Sequence, residues 1–315
     1  MAAASLPPQQ PPFLRAGDPV RLVAASSALA DLERLEAGLA VLRSWGLRLD
    51  DDPARLGQRH WGHLAGTDAE RAGDLCPAGG RKGAALLACV RGGWGSARLL
   101  EQPLAVADGW LLGFSDVTSL LWHRLATGRG GAIHGPLLTT LAAEPAWSRE
   151  RLRALLFGEP LAELEGEGWT EGVAEGPLLA ANLTVATHLL GTPHLPELDG
   201  AILILEDVGE APYRIERMLT HWRLCGALQR LGAIGFGSFE ACDDPDDDDG
   251  REGGVSSPPR FSLEEVLRER TADLGIPVLA GLPVGHGPGN AALPLGVRAR
   301  LDAGRGRLSI PPQAG

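Results

Sequence analysis

The first half of the chain alternates short apolar runs with helical patterns, and this alternation restricts the fold more than any other feature. The apolar runs cover residues 20–25, 83–90 and 109–114, and each has the length of a buried strand. Between the first two, residues 31–46 place four leucines on one helical face and end near a glycine, as helices often do. Short buried strands that alternate with helices predict a parallel α/β sheet.

The second half has a different pattern, which begins after about Pro145. A glycine-rich stretch comes first, and a strong buried strand at 200–208, a helix at 211–232 and a strand at 233–239 follow it. A chain of 315 residues has room for two domains of ordinary size. We therefore expect a second domain that begins within residues 150–175.

Charge and hydropathy exclude several classes of partner. The net charge of -11 repels phosphate backbones, so we expect no nucleic-acid partner. No apolar run approaches the ~20 residues of a membrane span, so we expect no membrane partner. Residues 1–14 are rich in proline and lack the apolar core of a signal peptide, which predicts a disordered leader on a cytoplasmic protein. The acidic stretch 243–259 lacks the final glutamate of a calcium loop and predicts a solvated insertion.

The sequence GFSD places Ser115 at the corner between a predicted strand and a predicted helix. A serine that a buried strand delivers to a helix start has the geometry of a nucleophile elbow. There the backbone N–H of Asp116 could hold an oxyanion that forms on Ser115. The alternative is that Ser115 only caps the helix, since serine is a common N-cap and the last glycine of the G-x-S-x-G pattern is missing.

A serine nucleophile needs a base, and the base needs a group that orients it. His286 lies in GLPVGHGPGN, a glycine- and proline-rich turn after a strand, where histidines often serve a site. Glu206 ends the apolar run AILILE, and a carboxylate in such a place must be paired. Orienting an imidazole is one way to pair it, and a salt bridge with Arg214 or Arg217 is the other.

A glycine cluster, RGGWGSARLL, follows the predicted strand at 83–90. Its glycines let the backbone approach a ligand closely, but the G-x-G-x-x-G fingerprint of dinucleotide sites is absent. We expect the cluster to supply further N–H groups beside the elbow, and we expect neither a cofactor nor a bound metal.

Seven segments, in this order, resemble the LD-carboxypeptidase family of serine peptidases, which also contains the microcin-immunity peptidases. The segments are RAGDPVRLVAASS, LAGTDAERAGDL, RGGWGSARLL, GFSDVTSLL, IHGP, LEDVGEAPYRIERML and GLPVGHGPGNAALPLG. Each is weak alone, but the set covers nearly the whole chain after the leader.

The resemblance implies a Ser-Glu-His triad of Ser115, Glu206 and His286. It implies oxyanion donors at the N–H of Asp116 and at Gly93, with Trp94 as the alternative to Gly93. It also implies a flavodoxin-like N-terminal domain over 15–150, similar to class I glutamine amidotransferases, and a β-rich α+β C-terminal domain over 170–315. The nucleophile would come from the first domain and the other two residues from the second, and relatives are often homodimers.

The reaction that the resemblance implies is hydrolysis of an amide between an L- and a D-amino acid, through an acyl-enzyme. In relatives this releases the terminal D-alanine of murein tetrapeptide, a small peptide substrate, during cell-wall recycling. Three segments depart from the family pattern: AANL at 180–183, VAASS in place of a version with proline, and the acidic insertion. None of them removes a triad member.

Two other functions stay open on sequence grounds. One is a microcin-immunity-type peptidase that cleaves peptidyl or aminoacyl adenylates, and the other is a non-catalytic α/β protein that binds a small ligand. An exopeptidase must also recognise a free carboxylate, for which Arg91, Arg214 and Arg217 are candidates. His134, in IHGP, is expected to be structural support at a dimer or domain interface.

Overall fold

The structure is a computed structural model that describes residues 8–49, 51–76, 84–243 and 261–312. Most of the predicted acidic insertion, from residue 244 onward, and the first seven residues of the predicted leader lie outside these ranges. No helix of the described ranges is long and apolar enough to cross a membrane.

Helices and strands alternate along both halves of the described chain. The α-helices are α1 (Leu32–Ser44), α2 (Pro53–Gly57), α3 (Asp68–Leu75), α4 (Thr118–Ala126), α5 (Leu138–Leu141), α6 (Ala146–Phe157), α7 (Leu183–Leu189), α8 (Pro212–Leu224) and α9 (Leu263–Thr271). The strands are β1 (Pro19–Val23), β2 (Arg48–Leu49), β3 (Leu86–Cys89), β4 (Trp110–Gly113), β5 (Ala132–His134), β6 (Leu164–Glu165), β7 (Glu167–Gly168), β8 (Val173–Asn182), β9 (Ile202–Val208), β10 (Ala233–Glu240), β11 (Val278–Ala280), β12 (Leu293–Pro294), β13 (Arg298–Asp302) and β14 (Arg307–Ser309).

The first sheet has the strand order β2-β1-β3-β4-β5-β12. Strands β1 to β5 pair in parallel, as the alternating pattern predicted, whereas β12 runs antiparallel to β5. In this pairing Leu293 lies opposite His134. A segment from the second half of the chain therefore completes the first sheet.

Helix α1 illustrates how the local sequence builds this half. Asp31 caps its first turn by accepting the backbone N–H of Arg34, and the buried Leu35, Leu39 and Leu42 share one face. Gly46 follows in the left-handed region, at φ 80°, which glycine adopts without strain. The predicted helix is confirmed.

The second sheet has the order β6-β14-β13-β8-β9-β10-β11-β7. Strands β8 to β11 pair in parallel at its centre, and antiparallel strands flank them on both sides. The molecule is therefore a mixed α/β protein with two sheets. Strand β8, at the centre of the second sheet, was not predicted, because Gly176 interrupts its apolar pattern at a place where the carbonyl of Gly200 leaves no room for a side chain.

The two sheets share a core through helix α4, which follows the serine corner. Trp122 of α4 is fully buried, and its indole N–H donates to the carbonyl of Ala180 in β8 at 3.0 Å. The backbone N–H of Asn182, at the end of β8, donates to the hydroxyl of Thr118 at 3.1 Å. These contacts fix the start of α4 against the second sheet.

Part of the expected leader is packed rather than disordered. The indole N–H of Trp110 donates to the carbonyl of Pro12 at 2.9 Å, and the N–H of Gly131 donates to the side chain of Gln10 at 2.8 Å. Leu14 is buried in the core of the first sheet. The prediction of a disordered leader is therefore wrong for residues 8–14, because Phe13 and Leu14 pack into the core of the first sheet.

Candidate functional site

Ser115 lies two residues beyond the end of β4, at the carboxyl edge of the first sheet, and has a strained backbone. Its φ is +61°, a left-handed value that non-glycine residues seldom adopt. Its side chain makes no capping bond, either in the short 3₁₀ turn 115–117 or at the start of α4. The alternative that Ser115 only caps the helix is therefore wrong, and the corner has the sharp turn of a nucleophile elbow.

This strain has a consequence for stability. We expect the unfolding free energy of Ser115→Gly to exceed that of Ser115→Ala by about 0.5–1 kcal/mol, because both lose the hydroxyl but only alanine keeps a Cβ at positive φ. Urea unfolding of the two variants measures the difference. At the exposed helical position Ala37, the control exchange Ala37→Gly should lower stability by about 1 kcal/mol. Equal stability of the two Ser115 variants would mean that the turn is unstrained.

Asp116 ties the elbow to the glycine cluster. Its buried carboxylate accepts the backbone N–H of Ser96 at 2.8 Å, and the Ser96 hydroxyl donates to its carbonyl at 2.6 Å. Burial raises the pKa of Asp116 despite these bonds. Gly92 consequently lies against the serine, where an added Cβ would come within 3.0 Å of the Ser115 hydroxyl oxygen. Asp116 thus holds the backbone of the glycine cluster against the turn that carries Ser115.

The backbone N–H groups of Gly93 and Asp116 are among those at this corner that have no hydrogen-bond acceptor within the described residues. The N–H of Trp94, in contrast, donates to the Ser27 hydroxyl at 3.1 Å. Gly93 has a φ of +107°, and a side chain there would overlap Ser27. Of the two candidates in the glycine cluster, Gly93 is therefore the one whose N–H is available to a ligand.

Glu206 and His286 are in contact. The Nδ1 of His286 lies 2.6 Å from a carboxylate oxygen of Glu206, which is fully buried at the carboxyl end of β9. Gly285 permits this approach, since a Cβ there would come within 2.7 Å of the same oxygen. The alternative of a salt bridge from Glu206 to Arg214 or Arg217 is wrong: Arg214 pairs with Glu210 at 3.4 Å instead.

Burial and charge act in opposite directions on this pair. Burial raises the pKa of Glu206 and outweighs the lowering effect of His286. Burial is also the largest single influence on His286 and lowers its pKa, but the hydrogen bond and charge of Glu206, with Asp207 and Glu240 behind it, outweigh burial and raise the pKa overall. The contact therefore favours a proton on the imidazole.

Behind Glu206 lies a second buried carboxylate whose oxygens are all satisfied. Asp207 accepts the side-chain N–H of Asn182 at 3.0 Å and both the N–H and the hydroxyl of Thr184 at 2.8 Å. Because Asn182 also bonds Thr118, it connects the strand of Glu206 to the helix of Ser115. Sequence reasoning noted Asn182 only as part of a departure from the family pattern. The local signal that could have identified it is its place before a helix, since its side chain caps α7 by accepting the N–H of Val185.

Phe114 connects the two parts of the site. It precedes Ser115, and its ring lies 4.7 Å, centroid to centroid, from the imidazole of His286. Within the described residues the Ser115 hydroxyl has no hydrogen bond, not even to His286. Catalytic hydrogen bonds are often long in the absence of substrate. The structure thus brings Glu206 and His286 together, and Phe114, the residue before Ser115, contacts the imidazole.

His134 lies on the other side of Phe114, with ring centroids 5.7 Å apart. It is fully buried where β12 joins β5, and burial, helped by the charge of His286, lowers its pKa to about 3. It is therefore a neutral side chain at the junction of the two halves, as its expected supporting role requires.

The three candidate arginines differ in their surroundings. Arg91 donates to the carbonyl of Ala28 at 2.8 Å and lies beside Gly93. Arg214 and Arg217 both lie over the exposed ring of Tyr213. Among the described residues, no cluster of three or more histidines, cysteines or acids could hold a metal ion.

Comparison with known proteins gives family matches in both halves. Residues 20–135 match the LD-carboxypeptidase N-terminal domain, and residues 175–301 match the LD-carboxypeptidase C-terminal domain. A Synechocystis protein provisionally named a carboxypeptidase is 45% identical over 304 residues, which cover 96% of this chain and 97% of the relative. The murein tetrapeptide carboxypeptidase of Pseudomonas aeruginosa is 35% identical over 313 residues, which cover 91% and 94%.

Solved structures share the fold along nearly the full length. The muramoyltetrapeptide carboxypeptidase from Oxalobacter formigenes has a TM-score of 0.78 and 27% identity, over 92% of this chain and 97% of that one. A microcin C7 self-immunity protein in complex with aspartyl sulfamoyl adenosine has a TM-score of 0.79 over 97% and 99%. Its identity is only 22%, so this second likeness concerns the fold alone.

Proposed function

We propose that this chain, which belongs to the LD-carboxypeptidase family of peptidases, hydrolyses the amide between an L- and a D-amino acid and releases terminal D-alanine from murein tetrapeptide. The observation that carries this proposal is the 2.6 Å contact between Glu206 and His286, next to the residue that precedes the strained Ser115. Relatives matched along most of the chain are named for murein peptides, which supports the substrate class.

The residues of the site suit an acyl-enzyme route. His286 takes the proton of the Ser115 hydroxyl as its oxygen attacks the amide carbon, and the N–H groups of Gly93 and Asp116 hold the resulting oxyanion. His286 then gives the proton to the leaving nitrogen of D-alanine as the C–N bond breaks. Water, deprotonated by His286, attacks the ester and restores Ser115. Glu206 keeps the imidazole in the tautomer whose Nε2 accepts a proton and stabilises the imidazolium.

The domain assignment belongs to the same proposal. We place the nucleophile in a flavodoxin-like domain over 15–150 and the other two triad members in a β-rich domain over 170–315. The strand order β2-β1-β3-β4-β5 of the first sheet is that of flavodoxin-like proteins, in which ligands lie outside the carboxyl ends of the strands. Ser115 follows the carboxyl end of β4. A cytoplasmic location, a part in cell-wall recycling and a homodimer stay predictions.

A second candidate is hydrolysis of an aminoacyl adenylate, which the fold likeness to the microcin immunity protein supports. The curated relatives favour the peptide instead. Two relatives of at least 30% identity that are matched along more than nine tenths of this chain are named for murein tetrapeptide or murein peptide.

A direct comparison of substrates tests this choice. We expect the purified chain to release D-alanine from murein tetrapeptide with a kcat/KM at least about tenfold above that for an aminoacyl sulfamoyl adenosine. A difference of about tenfold is what one well-matched substrate group can produce. Mass spectrometry of both reactions measures the two rates. Turnover of only the adenosine compound would reverse the assignment, and turnover of neither, with ligand still bound, would favour the non-catalytic alternative.

A further inference from the structure

The loop that carries His286, residues 283–292, is held by side chains from the other half of the molecule. A carboxylate oxygen of Glu144 accepts the backbone N–H of Asn290 at 2.9 Å. The hydroxyl of Ser148 lies 2.8 Å from that same oxygen and 2.9 Å from the carbonyl of Asn290, so its hydrogen can serve either acceptor. The backbone of Asn290 is thus bonded on both its N–H and its carbonyl side.

Asn290 passes this restraint to the catalytic pair. It is buried, and its side-chain oxygen accepts the N–H of Gly285 at 3.1 Å. Gly285 has a φ of +117° and lies directly against Glu206, so its position governs where the next residue, His286, meets that carboxylate. A short path of bonds therefore runs from Glu144 to the contact between Glu206 and His286.

An aromatic ring closes the same loop from the outside. Gly289 has a φ of +97°, and any side chain there would overlap the ring of Trp147. We call Glu144, Trp147 and Ser148 the clasp. All three lie at or just before the start of α6, in a stretch that supplies no member of the triad. The clasp thus connects the start of α6 to the loop 283–292, which carries His286.

We propose that Glu144 and Ser148 are positioning residues that hold the loop 283–292 at the place where His286 meets both Glu206 and Ser115. This inference rests on the proposed function, in which His286 is the general base. A misplacement of about 1 Å in such a site can cost about a hundredfold in rate, so a loop without its anchor loses turnover although no reacting group has changed.

The test compares Glu144→Ala and Ser148→Ala with Glu150→Ala in the full-length chain. Glu150 lies on α6, six positions after Glu144, and pairs with Arg153 on the surface, so its loss removes the same charge without touching the loop. The readouts are kcat and KM on murein tetrapeptide, the pH profile, and the NMR titration of the His286 ring, identified by its absence in His286→Gln.

We expect Glu144→Ala to lower kcat about tenfold to a hundredfold with little change in KM. The pKa of His286 should fall as well, because the contact with Glu206 loosens. Glu144→Gln should recover part of the loss in kcat and part of the fall in the His286 pKa, since its amide oxygen can still accept the N–H of Asn290. Ser148→Ala should lower kcat and the His286 pKa by smaller amounts. Glu150→Ala should match the wild type in both quantities.

Two results would overturn the inference: a folded Glu144→Ala protein with wild-type kcat and His286 titration, or a loss of thermal stability with the titration unmoved. If Glu144→Ala does not fold, Ser148→Ala and Glu144→Gln decide by the same criteria. If the wild-type chain cleaves no peptide, the proposed function fails, but the NMR titration still decides whether the clasp positions His286.

Discussion

The Ser115→Ala variant is expected to lose about four to six powers of ten in kcat while it keeps the fold, as nucleophile removal does in serine hydrolases. The hydroxyl has no structural task to lose with it: it caps no helix, and it has no hydrogen bond within the described residues. The effect should therefore fall on turnover and not on unfolding. Mass-spectrometric detection of released D-alanine, with circular dichroism of the same sample, measures both.

Ser44→Ala is the matched control, because Ser44 is an exposed serine at the end of α1. It should turn over murein tetrapeptide at the wild-type rate. A Ser115→Ala protein that retains more than about a hundredth of wild-type turnover would remove Ser115 from the nucleophile's role, since a missing nucleophile cannot leave so much.

The second large effect is expected for Glu206→Gln, which should lower kcat by about 10³–10⁴. Glutamine keeps the size of the side chain, but it can present an N–H to the imidazole and so favour the wrong tautomer. It also removes the charge that raises the pKa of His286. In the wild type, activity should fall as the pH drops through a value above the ordinary histidine pKa of about 6.5, because the base must be neutral. In the variant this acid limb should move to lower pH.

A full pH profile of kcat/KM for the wild type and Glu206→Gln measures both effects. Glu197→Gln serves as the control, since Glu197 pairs with Arg230 on the surface. An acid limb that stays in place in Glu206→Gln would show that the titrating group is not the imidazole beside Glu206. A variant with nearly full turnover would remove Glu206 from the site.

Local sequence patterns predicted those elements whose apolar side chains repeat at strand or helix spacing. Strands β1, β3, β4, β9 and β10 and helix α1 are confirmed because their burial follows directly from such runs. Ser262 and Glu265 have the spacing of a capping box, a local pattern that marks the start of a helix, and both capping bonds are present at the start of α9. Strand β8 could not be predicted this way, because Gly176 and Pro177 interrupt its pattern and one of its partners, β13, is distant in sequence.

The same distinction holds for the site. Glu206 and His286 could be paired beforehand because the family resemblance supplied both, and their contact is present. The contacts of Asn290 with Glu144 and Ser148 could not be predicted from the sequence. They join residues more than a hundred positions apart, and they are made to the backbone of a buried loop residue. An asparagine in a loop and a glutamate before a helix carry no local signal of such a role.

The pairing of β12 with β5 bears on how the protein is made. The sheet that presents the serine receives its last strand from residues 293–294, which follow the entire second sheet's parallel core in sequence. During synthesis, the edge of β5 therefore stays unpaired until residues 293–294 have been made, and an unpaired edge strand can pair with strands of other molecules. A fragment that ends between the two halves would therefore lack β12, the partner of β5. When expressed alone, such a fragment should aggregate through the unpaired edge of its sheet.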